Sequence, residues 1–280
     1  MRFEKWQALG NDYLIIEDAG LPFPLTAGRI RRLCDPHTGV GADGILLLVR
    51  PASAEFVADL RIFNPDGSEA ELSGNGAREA IMYLRHRGFT DADEFQIHTT
   101  AGPIRPRITG PDTCSVDMGR ASTTSADFPT GPPDGRGELS AGGQTWSFQH
   151  VSIGNPQCAI RSDDLDSLDL PAIGPAIEHH ESFPRRTNVS WYTELEPGLV
   201  RARIFERGVG ETLSSGTGAS GAAIAYHLAG GPPVVGVELD GGRLDVVIGA
   251  DLEVNLTGWA RPVYRGELSD EFQKELDETE

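Results

Sequence analysis

Lysine is nearly absent from this sequence of 280 residues, in which only Lys5 and Lys274 occur. A pyridoxal phosphate enzyme needs a lysine for its Schiff base. Lys5 falls in the first predicted strand and Lys274 in an acidic tail, so neither position favours that cofactor. We therefore do not expect pyridoxal phosphate chemistry.

Cysteine is scarce as well. Cys34, Cys114 and Cys158 are odd in number and widely spaced, which favours neither a disulfide framework nor a zinc or other metal site. No apolar signal segment begins the chain, and no stretch approaches 18 apolar residues. These absences predict a cytoplasmic protein without a membrane partner.

Basic residues are outnumbered, with 24 Lys and Arg against 42 Asp and Glu and a formal net charge of −18. Nucleic acids and anionic membranes attract basic surfaces, so both are disfavoured as partners. The length predicts two domains of about 140 residues, each large enough for its own core. A homodimer is left open.

What the sequence does contain is an internal repeat. Residues 61–80 and 203–222 align without gaps at an offset of 142, and nine of the twenty positions are identical. Each copy has a short β-type run, a polar turn, a Ser-Gly-x-Gly step and a helical run. The repeat predicts two similar lobes facing one cleft, in an α+β fold of mainly antiparallel sheets around buried helices. We assign residues 1–118 to an N-terminal lobe, 119–262 to a C-terminal lobe, and 263–280 to a return segment with an acidic tail.

Local patterns predict individual elements along the chain. Alternating and apolar runs predict strands at residues 2–6, 13–17 and 45–49, and an amphipathic pattern predicts a helix at 25–34 capped by Thr26. Turn residues predict a turn at 10–12, a crossover between the lobes at 121–143, and a hairpin of 234–239 with 244–248. The acidic composition of residues 267–280 predicts a solvated or frayed tail.

The Ser-Gly-x-Gly steps place Ser73 and Ser215 just before two helix starts. Glycine allows close backbone approach, and a helix N-terminus favours an anion such as a carboxylate. Two matched helix starts suit racemisation or epimerisation, in which a base removes the Cα proton and an acid returns one to the opposite face. Ser73 and Ser215 are therefore the candidate catalytic residues.

The repeat is least symmetric where Asn64 and Pro65 correspond to Glu206 and Arg207. An acid and an arginine on one side only could bind an ammonium and a carboxylate, the latter in bidentate fashion. The alternative interpretation is a surface ion pair worth little.

Several motifs in a fixed order resemble the diaminopimelate epimerase family over residues 1 to about 266. They are residues 10–13 (GNDY), 39–44 (GVGADG), 63–68 (FNPDGS), 73–78 (SGNGAR), 154–156 (GNP), Asn188, 206–211 (ERGVGE) and 215–218 (SGTG). The resemblance implies two pseudo-symmetric lobes, each a sheet wrapped around a central helix, with an active-site cleft between them. It also implies cofactor-independent conversion of LL- to meso-2,6-diaminopimelate, for lysine and peptidoglycan synthesis, by two-base proton transfer at Cα.

The resemblance further implies roles by position. The backbone at Gly74, Asn75, Gly216 and Thr217 would hold the carboxylate at the reacting centre. The residues that would bind the distal end of this small amino-acid substrate are Asn11, Asn64, Asn155, Asn188, Glu206 and Arg207.

Two departures from the family pattern bear on activity. The family has cysteine at the positions of Ser73 and Ser215, where the thiols act as acid and base. A thiol has a reference pKa of about 8.5 that a helix N-terminus lowers, whereas a serine hydroxyl titrates far higher. Gln157 stands where the family usually has histidine. We therefore predict an epimerase whose activity is impaired or altered.

Four interpretations remain open from the sequence. The first is an epimerase in which the serines keep weak activity or are helped by another base. The second is a cysteine-to-serine variant of an ordinary epimerase, and the third a natural relative acting on another amino acid or isomerisation. The fourth is a non-catalytic amino-acid-binding protein, since two-lobed folds also bind small ligands without chemistry.

Overall fold

The structure is a computed structural model that describes residues 1–71 and 73–279. The chain folds into two compact units. Unit 1 contains Met1–Val116 and the chain from Gly258 onward, and unit 2 is Asp117–Thr257. The chain leaves unit 1 within strand β9 (Thr113–Arg120) and returns to it within strand β18 (Glu253–Trp259).

Unit 1 is built on a mixed, mainly antiparallel sheet. Its strands are β1 (Arg2–Ala8), β2 (Asn11–Glu17), β3 (Ile45–Val49), β4 (Asp59–Phe63), β5 (Glu69–Ala70), β6 (Ile97–Thr99), β7 (Gly102–Ile104) and β19 (Arg261–Glu267), with β8 (Pro106–Ile108) paired to β9. The order is β19-β1-β2-β3-β4-β6-β7, and β5 pairs with β4. Only the β2/β3 and β4/β6 pairs are parallel among those described.

The helices of unit 1 are α1 (Ala27–Cys34), α2 (Gly74–His86) and α5 (Asp270–Glu278), with a short 3-10 turn at Asp18–Gly20. Helix α2 packs against β1, β2, β3 and β19 and is buried at every residue from 75 to 84. A helix enclosed on all sides has no solvent face, and α2 accordingly buries even its charged residues Arg78 and Glu79.

Unit 2 repeats this plan with a larger sheet. Its strands are β10 (Arg136–Ala141), β11 (Gln144–Ser152), β12 (Pro156–Arg161), β13 (Asn188–Glu196), β14 (Leu199–Glu206), β15 (Gly210–Thr212), β16 (Val234–Leu239), β17 (Gly242–Ile248) and β18. They follow the order β10-β11-β12-β13-β14-β16-β17-β18, and β15 pairs with β14. The β12/β13 and β14/β16 pairs are parallel.

Helix α4 (Gly216–Leu228) is the central helix of unit 2, and α3 (Leu170–Glu178) is its other helix among the described residues. Strands β11 to β14, β16 and β17 all pack against α4. Small residues such as Ala222 and Ala223, both fully buried, let these strands approach the helix closely. The predicted α+β class, with a mainly antiparallel sheet around a central helix in each of two units, is confirmed.

The sequence repeat is also a structural repeat. Helices α2 and α4 both contain 13 residues, and each follows a strand and a short paired strand, β4–β5 and β14–β15. An arginine–glutamate pair joins the two strands in each unit, Arg61 to Glu69 at 2.8 Å and Arg203 to Glu211 at 2.6 Å. The same local sequence therefore gives the same local structure twice.

Three local predictions need correction. The first turn lies at Leu9–Gly10, both with positive φ, so Asn11 already belongs to β2. The crossover predicted at 121–143 contains strand β10, whose Leu139 and Ala141 are buried. Helix α3 was not predicted because Pro175, which ordinarily interrupts a helix, lies inside it.

The prediction of a solvated tail is wrong for residues 270–278, because they form helix α5, which packs on α1. The Ser269 hydroxyl caps the helix by accepting the Phe272 N–H at 3.2 Å. Leu276 is fully buried, and its carbonyl accepts the Arg29 Nε–H at 2.7 Å. Arg32 bonds Glu275 at 2.7 Å. The acidic composition of the tail gave no indication that Leu276 is buried or that Arg29 and Arg32 contact this helix.

Within the described part of the chain, no helix has both the length and the apolar character needed to cross a bilayer.

We predict that Leu276→Ala lowers the free energy of unfolding by about 2–5 kcal/mol, because it leaves a cavity beneath a docked helix. Urea denaturation followed by circular dichroism measures the change. Exposed Lys274→Ala on the same helix is the control and should change stability by less than about 0.5 kcal/mol. Equal, small effects of both variants would mean that the tail does not dock.

Candidate functional site

Ser73 begins the site in unit 1 by capping helix α2. Its backbone is extended (φ −132°), and its Oγ accepts the Gly76 N–H at 3.1 Å. A Cβ on Gly76 would lie 2.9 Å from Leu46 Cδ2 of β3, so glycine lets the helix start sit directly on the strand. The backbone of Gly74 and Asn75 forms the first turn, where N–H groups have no partner within the helix.

A phenol also contacts Ser73. The Tyr13 hydroxyl, on β2, donates to Ser73 Oγ at 3.2 Å. A serine oxygen has two lone pairs, and here they accept from Gly76 and Tyr13. With both lone pairs used, Ser73 has its own hydroxyl hydrogen left to donate.

Asn75 is held by a buried neighbour on the same helix. The fully buried Arg78 donates through Nη2 to Asn75 Oδ1. Burial lowers the pKa of the Arg78 guanidinium. The side chain of Asn75 is thus fixed on the first turn of α2.

Ser215 occupies the equivalent place in unit 2. Its Oγ accepts the Gly218 N–H at 3.2 Å, and its backbone is extended (φ −145°). A Cβ on Gly218 would lie 2.8 Å from Ile204 Cγ2 of β14, which repeats the close approach at Gly76. Ser215 is only 5% exposed.

The partner of Ser215 is a carboxylate. Ser215 Oγ–H donates to Glu206 Oε2 at 3.0 Å, and Thr212 Oγ1–H donates to Glu206 Oε1 at 2.9 Å. Burial raises the pKa of Glu206 above its ordinary value, and the bonds from Thr212 and Ser215 oppose that rise. The Ser215 hydroxyl therefore donates a hydrogen bond to Glu206, whereas the Ser73 oxygen accepts one from Tyr13.

The unit 1 counterpart of Glu206, at the offset of 142, is Asn64. Its Nδ2 donates to Ser68 Oγ at 2.9 Å within the turn that follows β4. Among the described residues, no hydrogen bond joins Asn64 to Ser73. The repeat thus keeps the helix cap in both units and differs in the group that bonds the serine.

Arg207 follows Glu206 but has different partners. Its N–H donates to Asn188 Oδ1 at 2.8 Å, and its Nη1 donates to the Arg185 carbonyl at 3.0 Å. The next residue, Gly208, donates its N–H to the buried carboxylate of Glu178 at 2.9 Å. No ion pair joins Glu206 to Arg207 within residues 1–71 and 73–279, so the interpretation of a surface pair between them is not supported.

Asn155 lies beside the first turn of α4. Its Nδ2 donates to Thr217 Oγ1 at 3.3 Å, and its Oδ1 accepts from Gln157 Nε2 at 2.6 Å. Gln157 is fully buried against α4, where a Cβ on Gly221 would lie 2.9 Å from the glutamine Cβ. Gln157 thus positions Asn155.

Asn11 is fixed at the start of β2. Its Nδ2 donates to Asp43 Oδ2 at 2.8 Å, and the same oxygen accepts the Asp12 N–H at 3.0 Å. Lys5 pairs with Asp12 at 2.7 Å. Lys5, one of the two lysines in the sequence, thus belongs to this small cluster of polar side chains.

The comparisons with known proteins decide the family. The family model described as diaminopimelate epimerase matches residues 3–124 and 149–261. The chain belongs to the diaminopimelate epimerase family. Its relatives include the diaminopimelate epimerase of Synechococcus sp. strain JA-3-3Ab, 39% identical over 95% of this chain and 97% of the relative. That of Desulforudis audaxviator is 41% identical over 95% of this chain and 98% of the relative.

Solved structures agree with this fold. A phenazine biosynthesis protein of the PhzF family from Bacillus anthracis has a TM-score of 0.69 at 18% identity, covering 96% of this chain and 99% of that one. A hydroxyproline epimerase from Agrobacterium vitis has a TM-score of 0.64 at 15% identity, covering 95% and 91%. At these identities the likeness concerns the fold alone.

Sequence reasoning missed four residues that hold the predicted site residues of this diaminopimelate epimerase family member. Tyr13 lies within the GNDY motif and Asp43 within the GVGADG motif, but neither motif indicates which side chains these two residues contact. Thr212 and Glu178 carried no signal, because one lies in a three-residue strand and the other in the helix that was not predicted.

We predict that Thr212→Val raises the pKa of Glu206 further, because the lost hydroxyl stabilises the carboxylate form. Carbon-13 NMR titration of the glutamate carboxyl groups measures the shift, with Thr193→Val elsewhere in unit 2 as the matched control. An unchanged Glu206 titration in Thr212→Val would show that this hydrogen bond does not form in solution.

Proposed function

We propose that the protein interconverts LL- and meso-2,6-diaminopimelate by cofactor-independent proton transfer at Cα. One observation carries the proposal: in a member of the diaminopimelate epimerase family, two equivalent serines cap equivalent helices, and one is bonded to a proton donor and the other to a carboxylate. Ser73 thus accepts a hydrogen bond from a phenol and Ser215 donates one to a carboxylate, which supports different starting roles for the two groups in proton transfer at Cα.

The substrate carboxylate at the reacting centre is assigned to the first turns of α2 and α4. The backbone at Gly74, Asn75, Gly216 and Thr217 would bind it, because helix N-termini present N–H groups and a positive dipole end to an anion. The side-chain bonds of Asn75 and Thr217 described above support this by fixing both turns.

The distal end of the substrate is assigned to Arg207 and to four asparagines. Arginine binds a carboxylate through two parallel hydrogen bonds, and the backbone of Arg207 is already held by Asn188. The other proposed contacts are Asn11, Asn64 and Asn155, and the role of Glu206 toward the distal ammonium stays a prediction.

The reaction assigned to Ser73 and Ser215 is inversion by two groups. One removes the Cα proton, and the other delivers a proton to the opposite face. A hydroxyl is a much weaker acid than a thiol, so two serines in place of the family's cysteines should slow this step. Positioning should be unaffected, because both helix caps are intact.

We predict that the protein takes up deuterium at Cα of diaminopimelate in D₂O slowly, and that Ser73→Cys/Ser215→Cys is at least about 100-fold faster. NMR of the substrate measures the exchange. Alkylation should abolish the gain. Cys34 and Cys114 should not interfere, since both are buried and burial raises the pKa of each thiol to about 12.

Two results would contradict this proposal. Binding of diaminopimelate without exchange in either protein would identify an amino-acid-binding protein. Equal exchange rates in both proteins would mean that the serines do not limit proton transfer.

We predict that Arg207→Ala weakens diaminopimelate binding by about 1.5–3 kcal/mol, because a charged hydrogen-bonded pair is lost. Lysine, which is diaminopimelate without one carboxylate, should bind both proteins equally. Isothermal titration calorimetry measures both ligands, with exposed Arg186→Ala as the charge-matched control. Equal losses for the two ligands would show that Arg207 does not contact the distal carboxylate.

A further inference from the structure

A buried arginine of helix α2 lies beside the turn to which the substrate carboxylate is assigned. Arg78 is fully buried, and its Nη2 donates to Asn75 Oδ1 on the first turn of the helix. We propose that Arg78 supplies an unpaired positive charge to an anion site at the start of α2, so that a bound carboxylate completes its charge balance. This inference rests on the proposed function and adds to it a binding determinant within unit 1.

Several donors of the Arg78 guanidinium are unused. Its Nε and Nη1 atoms are buried without a hydrogen-bond partner, and no carboxylate forms an ion pair with it in the part of the chain that the structure describes. Arginine keeps its charge inside proteins, although burial lowers the pKa of this one. A buried charge is costly unless it is paired, so this guanidinium would stabilise an anion bound nearby.

The ionisable neighbours of Arg78 do not supply the missing negative charge. Cys114 and Glu79 are the groups whose charges act on it. Burial raises the pKa of the Cys114 thiol to about 12. Burial also raises the pKa of Glu79 well above its ordinary value, although Arg78 itself opposes that rise. The neutral form of both groups is therefore favoured near neutral pH, and the charge of Arg78 is left without a counter-ion.

The geometry of the helix directs this charge to the helix start. A long side chain in an α-helix extends back over the turn that precedes its own Cα. Arg78 does so, because it bonds a residue three positions earlier. The N–H groups of the first turn and the positive end of the helix dipole lie at the same end. Arg78 thus adds a full charge where α2 already favours an anion.

The internal repeat contains this charge in one unit only. At the offset of 142, Ser220 of α4 corresponds to Arg78, and its hydroxyl donates to the Gly216 carbonyl at 2.8 Å. Helix α4 nevertheless begins with the same cap, in which Ser215 accepts the Gly218 N–H. The helix start therefore forms without an arginine at this position, which favours a role for Arg78 in binding.

The test is a series of replacements at Arg78, with diaminopimelate binding measured by isothermal titration calorimetry. Arg78→Met and Arg78→Gln remove the charge, and each should weaken binding by at least about 10-fold. Glutamine can still donate to Asn75, so its loss of affinity separates the charge from the hydrogen bond. Arg78→Lys keeps the charge and should recover most of the affinity.

A charge-matched control lies on the same helix. Arg85, near the end of α2, pairs with Asp91 and Asp93 at 3.3 and 3.5 Å. Arg85→Met removes one positive charge far from the first turn and should change affinity by less than about 2-fold, because exposed ion pairs contribute little.

Lysine as ligand locates the effect on the substrate. It keeps the carboxylate at the reacting centre and lacks the distal one. Arg78→Met should therefore weaken lysine and diaminopimelate binding alike, whereas Arg207→Ala should weaken only diaminopimelate binding. Loss of diaminopimelate binding alone in Arg78→Met would overturn the inference, because the arginine would then act on the distal end.

Stability separates a binding charge from a structural one. An unpaired buried charge opposes folding, so Arg78→Met without ligand should leave the urea midpoint unchanged or raise it. Diaminopimelate should then stabilise this variant less than the parent protein, because stabilisation by a ligand follows its affinity. A structural arginine predicts the reverse, namely a lower midpoint that Arg78→Lys does not restore.

Glu79→Gln tests the charge balance directly. Because burial favours neutral Glu79, this change should alter diaminopimelate affinity by less than about 2-fold. A marked gain in affinity would identify Glu79 as the counter-ion of Arg78 and would overturn the inference.

Undiminished binding by Arg78→Gln would also overturn it, as would a loss in Arg85→Met equal to that in Arg78→Met. If Arg78→Met does not fold, Arg78→Gln and Arg78→Lys still decide the matter, and failure of both uncharged variants to fold would identify a structural role. Binding that follows the expected series without proton exchange would support the inference while contradicting the proposed reaction. Absence of binding in the parent protein and every variant would overturn the proposed function and the inference with it.

Discussion

The candidate site depends on one local interaction that occurs in both units. A serine in extended backbone accepts the N–H of the third residue on, which is a glycine because the helix start lies against a strand. This cap fixes where α2 and α4 begin and therefore where their first-turn amides lie. A side chain at the third position would push the helix off Leu46 or Ile204, and the serine would lose its place.

The cap fixes the backbone of the helix start in both units. The side chains that bond the two serine hydroxyls come from the sheets. Tyr13 reaches Ser73 from β2, and Glu206 reaches Ser215 from the end of β14. One duplicated backbone can thus carry two different partners without any change in the helix start. The two serines consequently differ in their hydrogen-bond partners although their helix caps are the same.

Features that depend on nearby residues were predictable from sequence. Patterns formed by neighbouring residues predict both central helices, both serine caps, the Thr26 cap and most strands. Helix α5, helix α3 and strand β10 were missed because distant contacts stabilise them: Leu276 is buried only where α5 meets α1, and Pro175 is tolerated inside a packed helix. Likewise Ser73 and Ser215 could be found from spacing, whereas the Tyr13 contact spans 60 residues and leaves no local pattern.

The raised pKa of Glu206 results from two opposing influences on its carboxylate. A fully solvated carboxylate keeps its ordinary pKa, whereas burial without hydrogen-bond donors raises that pKa. Two hydroxyl donors within a buried setting lie between these limits: burial disfavours the charge, and Thr212 and Ser215 partly restore it. The Ser215 hydroxyl therefore donates to a carboxylate whose charge depends on its surroundings, whereas the Ser73 oxygen accepts from a phenol.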